Sequence, residues 1–292
     1  MELGRIGVWS PPMRRAPRAE AVAAAVELER LGYGTLWLPG RPSMEADGVF
    51  ERAAAVLEAT ERMTVASGVV SVYEIPAAIA AAEHNRLTRA HPGRFLLGLG
   101  VSHAPIVDRD APGRYTHPIA TMSAYLDELD NAPEPVPPDQ RVIAALGPRM
   151  LQLARERSLG THPYNVTPEH TRQAREAVGP SRIVAPEQGV ALAGDAATGR
   201  RIARRFLRTY LGLPNYTNNW MRFGFTPADL EDGGSDRLVD AVIAWGDADA
   251  IRQRVEEHLR VGADHVAVQA LREDDAIPLE EWRVLADALP LR

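Results

Sequence analysis

Apolar runs of strand length alternate with longer amphipathic stretches along the whole chain, and this rhythm restricts the folds open to it. Runs at 5–9 (RIGVW), 35–38 (TLWL), 63–73 (MTVASGVVSVY), 94–101 (RFLLGLGV), 142–146 (VIAAL), 162–166 (HPYNV), 189–193 (GVALA) and 265–271 (HVAVQAL) read as strands. Residues 19–31, 49–60, 76–90, 118–130, 149–157, 168–178, 196–211, 248–261 and 280–289 read as helices from their spacing and end signals. The strands are continuously apolar rather than alternating, which is what burial on both faces demands. About eight strand–helix units in 292 residues predict an α/β fold, a (β/α)8 TIM barrel forming one domain over 1–292. A doubly wound open sheet is the structural rival. Two segments break the rhythm as insertions, at about 104–140, with the proline-rich NAPEPVPPDQ, and at about 212–240. The second holds Tyr216, Trp220, Phe223 and Phe225. It reads either as a packed excursion or as a lid or subunit contact.

Two absences narrow the chemistry. The chain has no cysteine, which removes disulfides, thiolate nucleophiles and thiolate metal sites. It also has no lysine: all 33 basic residues are arginine, so Schiff-base and Walker-type lysines are excluded. The eight histidines form neither H-E-x-x-H nor H-x-H, and no metal is expected. The net charge of -6, without a basic cluster, argues against nucleic-acid partners. No window approaches the roughly 18 apolar residues of a membrane span. MELGRIGVW lacks the pattern of a signal peptide, so a cytoplasmic location without membrane partners is expected.

RFLLGLGVSH, residues 94–103, invites three readings. A dinucleotide loop fails because His103 stands where the third glycine belongs and no helix is expected to open directly after it. A nucleophile elbow fails because Ala104 replaces its last glycine. A barrel strand fits: Ser102 and His103 then stand at the strand's C-terminal tip, where barrel active sites form. Gly98 and Gly100 would leave room there for a flat ligand.

The other expected strand ends carry Trp9, Tyr73, Gly147, Pro148, Arg149, His162, Tyr164, Asn165 and Gln269, an aromatic and polar set with few acids. It suits a planar organic cofactor and a small-molecule substrate, with Trp9, Tyr73, Tyr164 and Gln269 as substrate-pocket candidates. Thr167 before Pro168 reads as a helix N-cap, and that helix start, with His170 and Thr171, can hold a phosphate. Glu169 in the same turn competes for the helix dipole.

SGVVSVYE, RFLLGLGVSHAP, AALGPRM, THPYNVTPEHT and LGLPNYTNNW, in this order and spacing, resemble the luciferase-like (bacterial luciferase-type) monooxygenase family, and within it the F420-dependent oxidoreductase branch. The resemblance covers nearly the whole chain. It implies a barrel with insertions and a cofactor at the strand ends, either coenzyme F420 or FMN. It implies a non-proline cis peptide in the third strand at Gly68-Val69 that backs the ring system. It implies phosphate contacts at the helix after strand six, which is Thr167 to Thr171 here, and a homodimer. Ser102 joins the cofactor contacts, and His103, then His162, are the acid/base candidates. Where relatives carry Asp-His or Glu after strand two, this chain has Pro39-Gly40-Arg41 and a longer loop, RPSMEADG. The activity implied is hydride transfer between F420 and a small organic substrate. The alternatives are an FMN-dependent monooxygenase served by a separate reductase and a cofactor-binding paralogue without turnover.

Overall fold

The computed structural model describes residues 1–40, 48–109 and 111–291. Most of the RPSMEADG loop, residues 41–47, lies outside the described residues. The strands are β1 (Ile6–Trp9), β2 (Thr35–Leu38), β3 (Thr64–Ser67), β4 (Val70–Ser71), β5 (Phe95–Gly100), β6 (Arg141–Ile143), β7 (Gly160–Thr161), β8 (Ile183–Val184), β9 (Glu187–Leu192), β10 (Ala244–Gly246) and β11 (Val266–Ala270). The helices are α1 (Pro12–Arg15), α2 (Arg18–Leu31), α3 (Val49–Ala59), α4 (Ala77–Ala90), α5 (Ala104–Val107), α6 (Pro118–Asp130), α7 (Pro148–Arg157), α8 (Pro168–Val178), α9 (Ala196–Tyr210), α10 (Pro214–Arg222), α11 (Asp236–Val242), α12 (Ala248–Arg260) and α13 (Leu279–Ala288).

Every ladder is parallel, and the strands run in the order β11-β1-β2-β3-β5-β6-β7-β8. The chain passes from β8 through Ala185 and Pro186 into β9, which pairs with β11 at Glu187↔Ala267 and Gly189↔Gln269. That pairing closes the ring, and the expected (β/α)8 barrel is what the chain forms. β3 with β4, and β8 with β9, each fill one position of the eight. β1, β2 and β5 are buried at every residue, as their unbroken apolar sequence requires. The barrel interior takes side chains from most positions: Trp9, Trp37, Ala66, Leu96, Val142, Ala185 and Ala267 pack together. Trp37 supplies the bulk there and alanines the room, the large-with-small packing that a closed barrel needs.

Several expected elements are redrawn. The run at 63–73 divides into β3 and β4 at a cis Gly68-Val69 peptide. The strand expected at 162–166 lies earlier: β7 covers Gly160–Thr161 and stops before Pro163, which offers no N–H to a ladder. The expected loop after His103 opens instead on the one-turn helix α5. The 212–240 segment contains α10 and most of α11, and β10, which pairs with β9, was not foreseen.

Candidate functional site

A cavity of about 610 Å³ opens at the C-terminal ends of the strands. Trp9, Gly68, Val69, Ser102, His103 and His162 line it, as does Tyr164. They come from the ends of β1, β3, β5 and β7. α10 and the end of α9 cover it through Tyr210, Leu213, Asn215 and Tyr216. The aromatic segment is therefore a cover over the strand ends: Tyr216, Trp220 and Phe225 are all buried against the chain's own barrel.

The bulge between β3 and β4 is built by its neighbours. Trp9 donates its indole N–H to the Gly68 carbonyl at 2.9 Å. The Ser67 hydroxyl donates to the Gly98 carbonyl at 2.9 Å and accepts from the Gly98 N–H at 2.8 Å. A Cβ on Gly98 would lie 2.0 Å from the Ser67 carbonyl oxygen, and one on Gly100 would lie 2.5 Å from the Val69 Cγ2. The two glycines of RFLLGLGVSH thus make room for the bulge itself. The expectation that they open space directly for a ligand is corrected in this sense.

At the rim Ser102 has a left-handed backbone with φ 55°, and His103 follows it. The His103 ring lies 5.1 Å from that of Tyr216, and its Nδ1 is buried without a hydrogen-bond partner. Burial pushes its pKa down to about 4, so the imidazole is neutral. His162 is deeper. It stacks on Trp37 with centroids 3.9 Å apart, and its Nδ1 lies 2.7 Å from the Ala185 carbonyl. A carbonyl only accepts, so Nδ1 carries the proton and Nε2 is left as a buried lone pair without a partner. Burial pushes His162 down to about 3.

Other candidates sit elsewhere. Thr167 caps α8, its hydroxyl accepting from the His170 N–H at 3.4 Å, as the sequence implies. Neither it, His170 nor Thr171 lines the cavity, however. The His170 Nε2 bonds the Leu146 carbonyl at 3.0 Å. The Thr171 hydroxyl meets the His258 Nδ1 at 2.8 Å. Gln188 spends its amide hydrogens on the carbonyls of Gly189 and Val242, so its oxygen accepts from His258 Nε2–H and Thr171 is the donor to Nδ1. Gln269 lies behind Tyr164, accepting from its hydroxyl at 2.7 Å, while the Tyr210 hydroxyl sits 2.9 Å from that of Tyr164. Tyr73 also stands back from the cavity. Its hydroxyl donates to the Thr116 carbonyl, and its ring packs 5.3 Å from Tyr115, which does line the cavity.

The start of α7 reaches the cavity in their place. Gly147, Pro148 and Arg149 line it, the first turn of α7 carries no acid, and Arg222 of α10 stands beside it. Two cations and a free helix start form an anion-friendly end. Two acids escaped the sequence reading. Glu74 lines the cavity just beyond the VSVY run. Glu187 is fully buried, accepts from the Asn165 N–H at 3.1 Å, and is pushed up to about 8 by burial. Only its place ahead of the apolar 189–193 run hinted that it enters the barrel. Among the described residues no three His, Asp or Glu side chains converge as metal ligands, and no helix is long and apolar enough to cross a membrane.

Residues 3–132 match the model of a family described as luciferase-like monooxygenase. No curated protein matches the chain. An F420-dependent secondary alcohol dehydrogenase, solved with an F420-acetone adduct, is similar over 99% of each chain with 14% identity and a TM-score of 0.71. The coenzyme F420-dependent tetrahydromethanopterin reductase of Methanopyrus kandleri is similar over 99% of each chain, at 14% identity and a TM-score of 0.69. The oxygenating constituent of 3,6-diketocamphane monooxygenase from Pseudomonas putida, solved with FMN, covers 99% of this chain and 98% of its own, at 14% identity and a TM-score of 0.68. The resemblance read in the sequence is thus borne out: residues 3–132 carry the pattern of the luciferase-like monooxygenase family, and the whole chain has the barrel fold of these solved neighbours.

Proposed function

We propose that the chain is an oxidoreductase that holds coenzyme F420 in this cavity and exchanges a hydride with a small organic substrate. The observation that carries the reading is the match between cavity and ligand shape. An aromatic and aliphatic chamber lies above the Gly68-Val69 bulge, and a cationic end is formed by Arg149, Arg222 and the start of α7. Buried polar atoms without partners, His103 Nδ1 and His162 Nε2, await a ligand. A flat ring system with an anionic tail meets all three features.

Gly68, Val69 and Ser102 would border the ring, and Arg149 and Arg222 would hold the anion. We assign the anion to these two arginines rather than to Thr167, His170 and Thr171. The bound cofactor supplies the hydride chemistry. His103, neutral and at the rim, takes up or returns the substrate's proton, and His162 accepts a hydrogen bond through Nε2. Trp9 and Tyr164 shape the substrate's space. Tyr216 and Leu213 keep water out. A homodimer, implied by the resemblance, is checked by sedimentation.

Titration of the purified protein with F420 and with FMN, followed by absorbance and fluorescence, tests the proposal. Micromolar binding of F420 is expected. Binding of neither cofactor overturns it. Tighter binding of FMN, with oxygen uptake once it is reduced, supports the monooxygenase served by a separate reductase. Binding without turnover on any substrate offered supports the paralogue.

A further inference from the structure

Four non-glycine residues among those described have a left-handed backbone: Ser102, His117, Asn165 and Asp232. Two of them are strand-end corners at the cavity. Ser102 immediately precedes His103, and Asn165 immediately follows Tyr164. Such a backbone is unfavourable for any residue with a Cβ and persists only where the surroundings hold it. Asn165 does not stabilise its own corner, because both its side-chain polar atoms are buried without partners.

Both corners are held by α10. Asn215 donates its amide Nδ2–H to the Ser102 carbonyl at 3.2 Å. Trp220 donates its indole N–H to the Asn165 carbonyl at 3.0 Å. A third side chain, Arg222, donates to the Leu146 carbonyl at 3.3 Å, at the end of the strand between them. One helix therefore takes hold of three successive strand ends through side-chain donors to backbone acceptors. Asn215 also reaches the Tyr115 hydroxyl at 3.4 Å. The next residue of α10, Tyr216, supplies the ring against His103.

We propose that Asn215 is a positioning residue for His103: by holding the Ser102 carbonyl it fixes the corner that turns the next imidazole into the cavity and beneath Tyr216. The functional weight of this rests on reading His103 as the proton-transferring group. The titratable groups around the corner are Tyr216 of α10 and Tyr115, and the charged groups lining the same cavity are Glu74, Arg149 and Arg222. Burial alone accounts for the lowered pKa of His103.

The test follows the imidazole signals of the intact, 15N-labelled chain against pH, without cofactor. His103→Gln identifies the His103 signal. In the wild type that signal should be constant over roughly pH 5.5 to 8. In Asn215→Ala it should move and titrate with a midpoint higher by about one unit or more, toward the ordinary 6.5. His258, bonded to Thr171 and Gln188 outside the cavity, should stay unchanged in the same spectra. A merely structural Asn215 would lower the melting temperature and leave the His103 titration alone, and that result overturns the proposal. Asn215→Leu, which keeps the volume and loses the donor without adding a charge, should reproduce the alanine result, and Asn215→Ser serves if either fails to fold. Cofactor titration is read separately. A responsive His103 in a protein that binds neither F420 nor FMN sinks the proposed function alone. An unresponsive one in a protein that binds F420 sinks only the role of Asn215.

Discussion

A single methyl group separates Gly98 from alanine, and the barrel has no place for it. Its Cβ would press on the Ser67 carbonyl, which is backbone and cannot swing aside. At Gly100 the obstacle is a methyl of Val69, a side chain that itself lines the cavity. Gly98→Ala is therefore expected to cost roughly 1–3 kcal/mol of stability, as overpacking does. Gly100→Ala should cost less and weaken cofactor binding more. Urea denaturation and cofactor titration of the two variants check the ordering. These glycines drew notice in the sequence because they interrupt an apolar run. Their purpose was not legible there, because the groups they make way for, Ser67 and Val69, lie some thirty residues away. His103 and His162 were legible as strand-end polar groups. Glu187 was not, because it precedes the apolar run that marked its strand.

Among the elements, α8 and α7 divide the work that the sequence assigned to α8 alone. The Thr167 cap and Pro168 were read correctly as a helix start, yet a cap signal fixes where a helix begins and not what it faces. Thr171 ties α8 to α12 and β9 through His258 and Gln188. Thr171→Val leaves the His258 Nδ1 buried and unpaired, so a loss of about 1–3 kcal/mol is expected. Cofactor affinity should be unchanged, because Thr171 does not reach the cavity. Arg149→Ala should do the reverse, removing a charge-assisted contact worth roughly tenfold to a hundredfold in affinity and leaving the melting temperature nearly intact. Arg222→Ala should weaken affinity similarly and also lower the melting temperature, because it gives up the bonds to the Leu146 carbonyl and to Asn219. An affinity that falls only in Thr171→Val would return the anion to α8. The short elements were the least legible. β10 is three residues and β7 two, too few to establish a period.

At the scale of the whole molecule, the barrel was legible because most of its buried strands, β1, β2 and β5 above all, leave apolar runs in the sequence. Its closure also sets a pH profile. His103, His162, His170, His258 and His265 are held by burial at about 3 to 4, against an ordinary 6.5. Between those values the unfolded chain binds protons that the folded chain refuses, so stability falls on acidification below about 6.5, by roughly a kcal/mol per pH unit for each histidine. Glu187 has the opposite sign. Its folded value of about 8 exceeds the ordinary 4.5, so the folded chain holds an extra proton over that range, and this contribution declines as pH rises through it. Stability should peak near neutrality. Glu187→Gln should flatten the decline between neutrality and about pH 8, and urea midpoints across a pH series check both slopes.

The ring of strands has one further consequence. A sheet that ends offers unpaired N–H and C=O groups to any passing chain, and fibres and clumps grow from such margins. Here β11 and β9 join what would have been the two ends, and the one strand laid beside the ring, β10, is three residues long. The folded chain gives a neighbour almost nothing to copy. Clumping on storage should therefore rise under conditions that open the ring.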